Sequence, residues 1–213
     1  MGNTSTRRFP QEDFAQPADR LAQRLLGQTL VRNLPTGERL AGRIVETEAY
    51  LGPEDQAAHT RNGHRSPRVE SMWGPGGHAY VYFTYGMHHC LNIVAGRAGE
   101  PQAVLIRALE PTEGLDEMRR LRSAKRKPEA KPLRDRDLCS GPAKLCQALA
   151  IDLALDSVPL AGDSPLALEH TQPKSYQDHD VTTATRIGID RAGEWAHKPL
   201  RWYVTASAHV SVR

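Results

Sequence analysis

Between Glu46 and Arg107, carboxylates, tyrosines, an amide and an arginine recur at close spacing. The stretch reads ETEAYLG at 46–52, AAH at 57–59 and YVYFTYGM at 80–87, then Asn92, then LIRALEP at 105–111. Tyr50, His59, Tyr80, Tyr82 and Tyr85 supply flat rings, with Glu46, Glu48, Asn92 and Arg107 as polar groups beside them. Rings of this kind stack on flat heterocycles, and a nearby acid can take a proton from water. The set therefore suits hydrolysis of a bond carried by a flat heterocycle. From spacing alone, Glu46 and Glu48 serve equally well as the acid.

Strands are needed to hold such side chains. Thr29–Leu34 and Arg39–Ala49 read as two, joined through Pro35-Thr36-Gly37-Glu38, which has turn chemistry. Alternation along the second predicts Ile44, Glu46 and Glu48 on one face, with an acid near the strand end pointing into a cleft. Ala79–Tyr85 and Cys90–Val94 read as a second pair turning at Gly86, followed by a strand over Ala103–Leu109. Residues 59–78, rich in Gly, Pro, Arg and His, form a long irregular segment of the functional kind.

Helical spacing spans Ala18–Leu26, where Leu21 and Leu25 lie one turn apart and Gly27 is placed to stop the helix. Pro111 and Thr112 predict the opening of another helix, with Glu113, Asp116 and Glu117 in its first turn and basic residues further along. Ser140-Gly141-Pro142 predicts a third, containing Leu145 and Leu149, and Arg201–Val212 reads as returning strands. Interleaved helices and hairpins predict an α+β fold, with a polar leader over 1–17 and a single domain over 18–213.

The composition, 39% hydrophobic and 25% charged, excludes a disordered chain and fits one core. A net charge of +3 permits a polyanionic partner without demanding one. Basic residues gather between Arg119 and Arg136, as a solvated helix end or as a nucleic-acid contact. Three cysteines without framework spacing, and no signal-like or membrane-length apolar run, predict an intracellular protein with no membrane contact. His88, His89 and Cys90 would alternate faces in a strand, and Cys139 and Cys146 lack zinc-site spacing, so no metal is expected. No Ser/His/Asp triad or phosphate-cradling glycine motif occurs.

The ETEAY, YVYFTYGM and LIRALEP blocks occur in the order found in the alkyladenine (3-methyladenine) DNA glycosylase family, which the sequence resembles from about Leu21 to Val212. The resemblance implies Glu48, the second Glu of ETEAY, as the general base, with Arg107 helping to hold the attacking water. It implies Tyr50, His59 and Tyr82 as the rings that hold an extruded base, and Asn92 as the residue that crowds the exocyclic amine of normal guanine. The backbone carbonyl of Ile187, in Arg186-Ile187-Gly188, would contact the water. Tyr85 would fill the gap in the duplex, flanked by Thr84 and Met87. Base extrusion is required because the reactive atoms lie inside the stack.

The implied protein is a monomeric, monofunctional DNA glycosylase without cofactor or lyase activity, acting on double-stranded DNA that contains damaged purines. Its expected sheet is mixed, curved and antiparallel, with surrounding helices and a protruding β-hairpin that enters DNA. N-alkylated purines are cations, and stacked rings attract cations by roughly 0.5–2 kcal/mol, so 3-methyladenine and 7-methylguanine are the expected favourites over hypoxanthine and ethenoadenine. A protonated His59 would act against that preference. Phe83 and Thr84 stand where the family has an aliphatic pair, and His88 and His89 where aromatic residues are usual, which leaves the preference open. Two other readings use the same residues: a non-catalytic nucleic-acid-binding module built on 119–136, and a small-molecule nucleosidase without a wedge.

Overall fold

The structure, a computed structural model, describes residues 8–124, 126, 127, 129–170 and 180–213. The first part of the leader and Lys125 of the basic stretch lie outside these residues. The sheet is organised by one long strand, β2 (Arg39–Tyr50), between β1 (Thr29–Asn33) and β5 (Gln102–Glu113). β3 (Ala79–Thr84) and β4 (His88–Ala95) extend it beyond β5, and β6 (Leu166–Glu169) extends it beyond β1. β7 (Val181–Ala184) pairs with β8 (Arg201–Val204), and β8 pairs with Glu46–Glu48 of β2. Among the described residues these eight strands form one antiparallel sheet, which with its helices is an α+β fold.

Glu46 and Glu48 share a face as alternation requires, but Ile44 does not join them. Val45 is an extra residue in β2, because Ile44 pairs with Leu109 while Glu46 pairs with Ala108. Arg107 is then extra in β5, because Thr47 pairs with Ile106. Each bulge flips the alternation, so Ile44 and Thr47 face the helix-covered core while both glutamates face away from it. The bulge in β5 also turns Arg107 towards those glutamates.

Helix α1 (Ala18–Leu25) follows Pro17 and ends just before Gly27, and it buries Ala18, Leu21, Ala22 and Leu25. It is fastened to β2 by the Thr47 hydroxyl, which donates to the Ala22 carbonyl at 3.0 Å. Phe9 and Phe14 bury their rings in the same core.

The expected helix opening at Pro111 and Thr112 is strand instead. Glu113 pairs with Ala41, and its carboxylate meets Arg39, so the sheet holds the chain to that point. Helix α2 (Leu115–Ser123) begins only after Gly114, whose φ is 75° and where a Cβ would lie 2.4 Å from Leu40 Cδ2. Asp116 and Glu117 remain in its first turn. A short helix α3 (Asp135–Leu138) precedes α4 (Pro142–Ala148), which has proline at its start and Leu149 at its cap. Of the expected strands over Arg201–Val212, only Arg201–Val204 forms one, and its partner β7 comes from earlier in the chain.

Candidate active site

Glu48 has 0% of its surface exposed, yet both carboxylate oxygens are bound. The Ile187 amide donates to Oε1 at 2.8 Å and the Tyr50 hydroxyl donates to Oε2 at 3.0 Å. Arg107 Nη1 lies 3.2 Å from Oε1, while Arg107 Nε donates to Glu46 Oε1 at 3.0 Å. One guanidinium thus bridges the two acids of the ETEAY block. Burial raises the Glu48 carboxyl above its ordinary range, against the lowering effects of Arg107, the Ile187 amide and Tyr50. A carboxylate displaced upward in this way is a stronger base once ionised.

The Tyr50 ring sits over the guanidinium of Arg186, 4.7 Å from ring centroid to Cζ. Arg186 is itself locked by Asp55, with Nη1 to Oδ2 at 2.5 Å and Nη2 to Oδ1 at 2.9 Å, and by the Ala49 carbonyl at 2.9 Å. Asp55 accepts in turn from the Leu51 and Ala57 amides, each at 3.0 Å. This buried pair pins the residue before Ile187 to the loop after β2, and so aims the Ile187 amide at Glu48. Asp55 and the pairing of Arg186 went unmarked in the sequence, where the partners stand 131 residues apart.

Beside Glu48 and Tyr50 lies a cluster of rings. His59 meets Tyr82 edge-on at 4.6 Å and Tyr80 at 6.0 Å, and Tyr80 and Tyr82 are 5.5 Å apart. His59 Nδ1 and the Tyr80 hydroxyl share a 2.7 Å hydrogen bond. Burial, with Arg68, Arg61 and His64 nearby, lowers the His59 imidazole to about 4. The ring is therefore neutral near pH 7, which removes the repulsion that a protonated His59 would exert on a cation. Burial, with the Glu48 and Tyr82 charges it would face, holds the Tyr50 phenol well above its usual range, so its proton stays available to Glu48.

The structure brings Glu48, Arg107, Tyr50, Ile187, Tyr82 and His59 into one neighbourhood. Asn92 is buried one strand away, its side-chain amide donating to the Tyr80 carbonyl at 3.2 Å. The contact of Ile187 with Glu48 is made by its amide. A cavity of about 490 Å³ opens beside His59, lined also by Arg61, Asn62, His64, Ser66, Arg68 and Val69.

Thr84, Tyr85 and Met87 lie apart from this cluster, at the turn between β3 and β4. Tyr85 lies three residue steps along the chain from Tyr82, roughly 10 Å at about 3.3 Å per step. Tyr85 and Gly86 both have positive φ, 51° and 67°, and the Met87 amide returns to the Thr84 carbonyl at 3.2 Å. Two left-handed residues in succession suit Asn-Gly in such a turn, so tyrosine in the first position carries strain. Its ring is 84% exposed, with Met87 and Phe83 exposed beside it. Arg68 Nη2 donates to the Phe83 carbonyl at 3.0 Å, tying the irregular 59–78 segment to this tip.

The profile of the methylpurine-DNA glycosylase (MPG) family matches residues 12–208. The chain belongs to this family. It is 54% identical over 206 residues to a mouse protein named DNA-3-methyladenine glycosylase, covering 96% of this chain and 61% of the mouse one. The human protein of the same name is 54% identical over 202 residues, covering 94% and 67%. A Desulfitobacterium hafniense protein named putative 3-methyladenine DNA glycosylase is 42% identical over 207 residues, covering 97% and 100%. The chain thus spans 61% and 67% of the lengths of these two mammalian proteins.

The basic stretch is less available to a polyanion than its composition implies. Arg119 pairs with Asp116 and Asp135, Arg120 with Glu117, and Arg134 with Asp137. His88, His89 and Cys90 diverge as strand alternation dictates, and His89 packs on the Phe83 ring at 5.0 Å. Among the described residues no helix is long and apolar enough to cross a membrane.

Proposed function

We propose that this protein is a monofunctional DNA glycosylase that turns damaged purines out of double-stranded DNA and hydrolyses their glycosidic bond, starting base-excision repair. The observation that carries the reading is a fully buried glutamate, Glu48, held by Arg107, Tyr50 and the Ile187 amide against a cluster of aromatic rings. Glycosidic cleavage develops positive charge on the sugar, so one carboxylate serves both to deprotonate water and to stabilise that charge. Arg107 steadies the ionised carboxylate and the water, and Ile187 borders the same space. Tyr50, His59 and Tyr82 grip the extruded base, and Asn92 narrows the pocket against normal guanine. Tyr85 enters the duplex from the tip of the β3–β4 hairpin, with Thr84 and Met87 at its sides.

The substrates are alkylated and deaminated purines: 3-methyladenine, 7-methylguanine, hypoxanthine and ethenoadenine. A neutral His59 permits the cationic members to stack. The protein acts as a monomer through one domain over 18–213, on DNA inside the cell. Incubation with duplexes that each carry one of these lesions, followed by analysis of the released bases, tests the reading. Each should yield a free base and an abasic site in an uncut strand. No lysine lies between Glu46 and Arg107 to serve as an amine nucleophile, so borohydride should trap no protein–DNA adduct. Failure to release any of the four bases, or a trapped adduct, contradicts it.

A further inference from the structure

Glu46, the first acid of the ETEAY block, has a different set of partners from Glu48. Glu46 is wholly buried, and its Oε1 accepts from Arg107 Nε and from Arg201 Nη1, each at 3.0 Å. Its Oε2 accepts from the Ser211 amide at 2.7 Å. Ser211 also accepts from Arg107 Nη2 through its hydroxyl at 3.3 Å, and the Val212 carbonyl accepts from Arg201 Nη1 at 2.9 Å. Arg201 Nε donates to the Thr185 carbonyl at 2.8 Å, two residues before the Ile187 amide that binds Glu48. Three donors thus converge on the Glu46 carboxylate, two from arginines and one from the tail, and tie it to the protein on both sides.

We propose that Glu46 is a positioning residue, which through Arg107 on one side and Arg201 on the other fixes two of the three donors that face Glu48, Arg107 itself and the Ile187 amide, with Ser211 and Val212 closing the network. The proposal rests on the glycosylase reading, with Glu48 as the base. Arg107 reaches Glu48 directly, and Arg201 sets the chain that presents Ile187. Removing one partner of such a buried network leaves its charges unbalanced, so loss of Glu46 is felt at Glu48.

The sign of that effect follows from the charges around Glu48. It is faced by Arg107 from β5, Tyr50 and Glu46 from its own strand, Tyr82 from β3 and Cys90 from β4, with Arg201 across from it on β8. Burial pushes the Tyr82 phenol and the Cys90 thiol up, so both stay neutral at pH 7. The nearby negative charge is therefore Glu46, and it raises the Glu48 carboxyl. With glutamine at 46, Arg107 faces Glu48 alone, and Glu48 ionises at lower pH.

Single-turnover excision of hypoxanthine from duplex DNA, measured from pH 4.5 to 8, tests this with Glu46→Gln. The expected result is a plateau rate about 10- to 100-fold below wild type, with the acidic limb displaced to lower pH. A plateau and limb like those of wild type would overturn the proposal. So would a loss at every pH as complete as that of Glu48→Gln, because Glu46 would then take part in the chemistry itself. A chain ending after Val210 removes no residue of the hydrophobic core and tests the tail if Glu46→Gln does not fold. It should bind the duplex normally and excise several-fold more slowly, and an unchanged rate would remove Ser211 and Val212 from the network. If wild-type protein releases no hypoxanthine or other lesion base, the glycosylase reading falls and the proposal with it. Release with an unmoved limb in Glu46→Gln defeats the proposal alone.

Discussion

Replacing Tyr85 with glycine should separate stability from function. Tyr85 holds φ at 51° and its ring is 84% exposed, so the side chain costs backbone strain and buries little surface. A non-glycine residue in the left-handed region costs roughly 1–2 kcal/mol. Glycine relieves that cost but returns about 0.5–1 kcal/mol through its freedom in the unfolded chain. The net is between about zero and 1.5 kcal/mol in favour of the variant, a melting temperature unchanged or raised by a few degrees. On DNA the ring is worth about 1–3 kcal/mol of stacking, which at about 1.36 kcal/mol per decade is roughly a 5- to 160-fold loss of excision at limiting enzyme. The loss should be smaller when the lesion is mispaired, because less stacking and pairing is then broken. Thermal melting, with single-turnover excision of hypoxanthine from paired and mispaired duplexes, checks both halves. A melting temperature several degrees lower would mean that the ring packs against the protein. Equal losses on the two duplexes would mean that it fills no gap.

Asp55→Asn should cost about 3–5 kcal/mol by leaving Arg186 buried without its anion, a fall in melting temperature on the order of 10 °C. Base release should slow as well because Ile187 loses its anchor, and a melting temperature within about 2 °C of wild type would contradict this. His59 should titrate near 4 by NMR, below the ordinary 6.5. The unfolded chain binds the proton first, so stability should fall as pH drops from 6.5 towards 4, and His59→Gln should flatten that slope. An imidazole titrating above 6 would refute the neutral ring.

The strands and the turn that carry Tyr82, Tyr85 and Glu48 were legible because alternation and turn residues are local signals. The bulges at Val45 and Arg107 were not, because an extra residue shows only when two strands are laid side by side, and so Ile44 was expected on the wrong face. The helix expected at Pro111 failed for a related reason: the pull of Arg39 on Glu113 comes from another strand. Spacing left Glu46 and Glu48 equivalent. What distinguishes them is the company each keeps, Arg201 and Ser211 for Glu46, Tyr50 and Ile187 for Glu48, all but Tyr50 far along the chain. The resemblance to a known family reached Glu48 by matching blocks, but no block pointed to Asp55, Arg201 or Ser211.

Central to the account is Glu48 as the group that activates water. Glutamine at that position keeps the shape and an acceptor for the Ile187 amide but cannot take a proton. Base release by Glu48→Gln at saturating enzyme should fall by about 10²–10⁴-fold, the usual contribution of a general base, while binding to the same lesion duplex stays within a few-fold of wild type. Release within a factor of about three of wild type would contradict it.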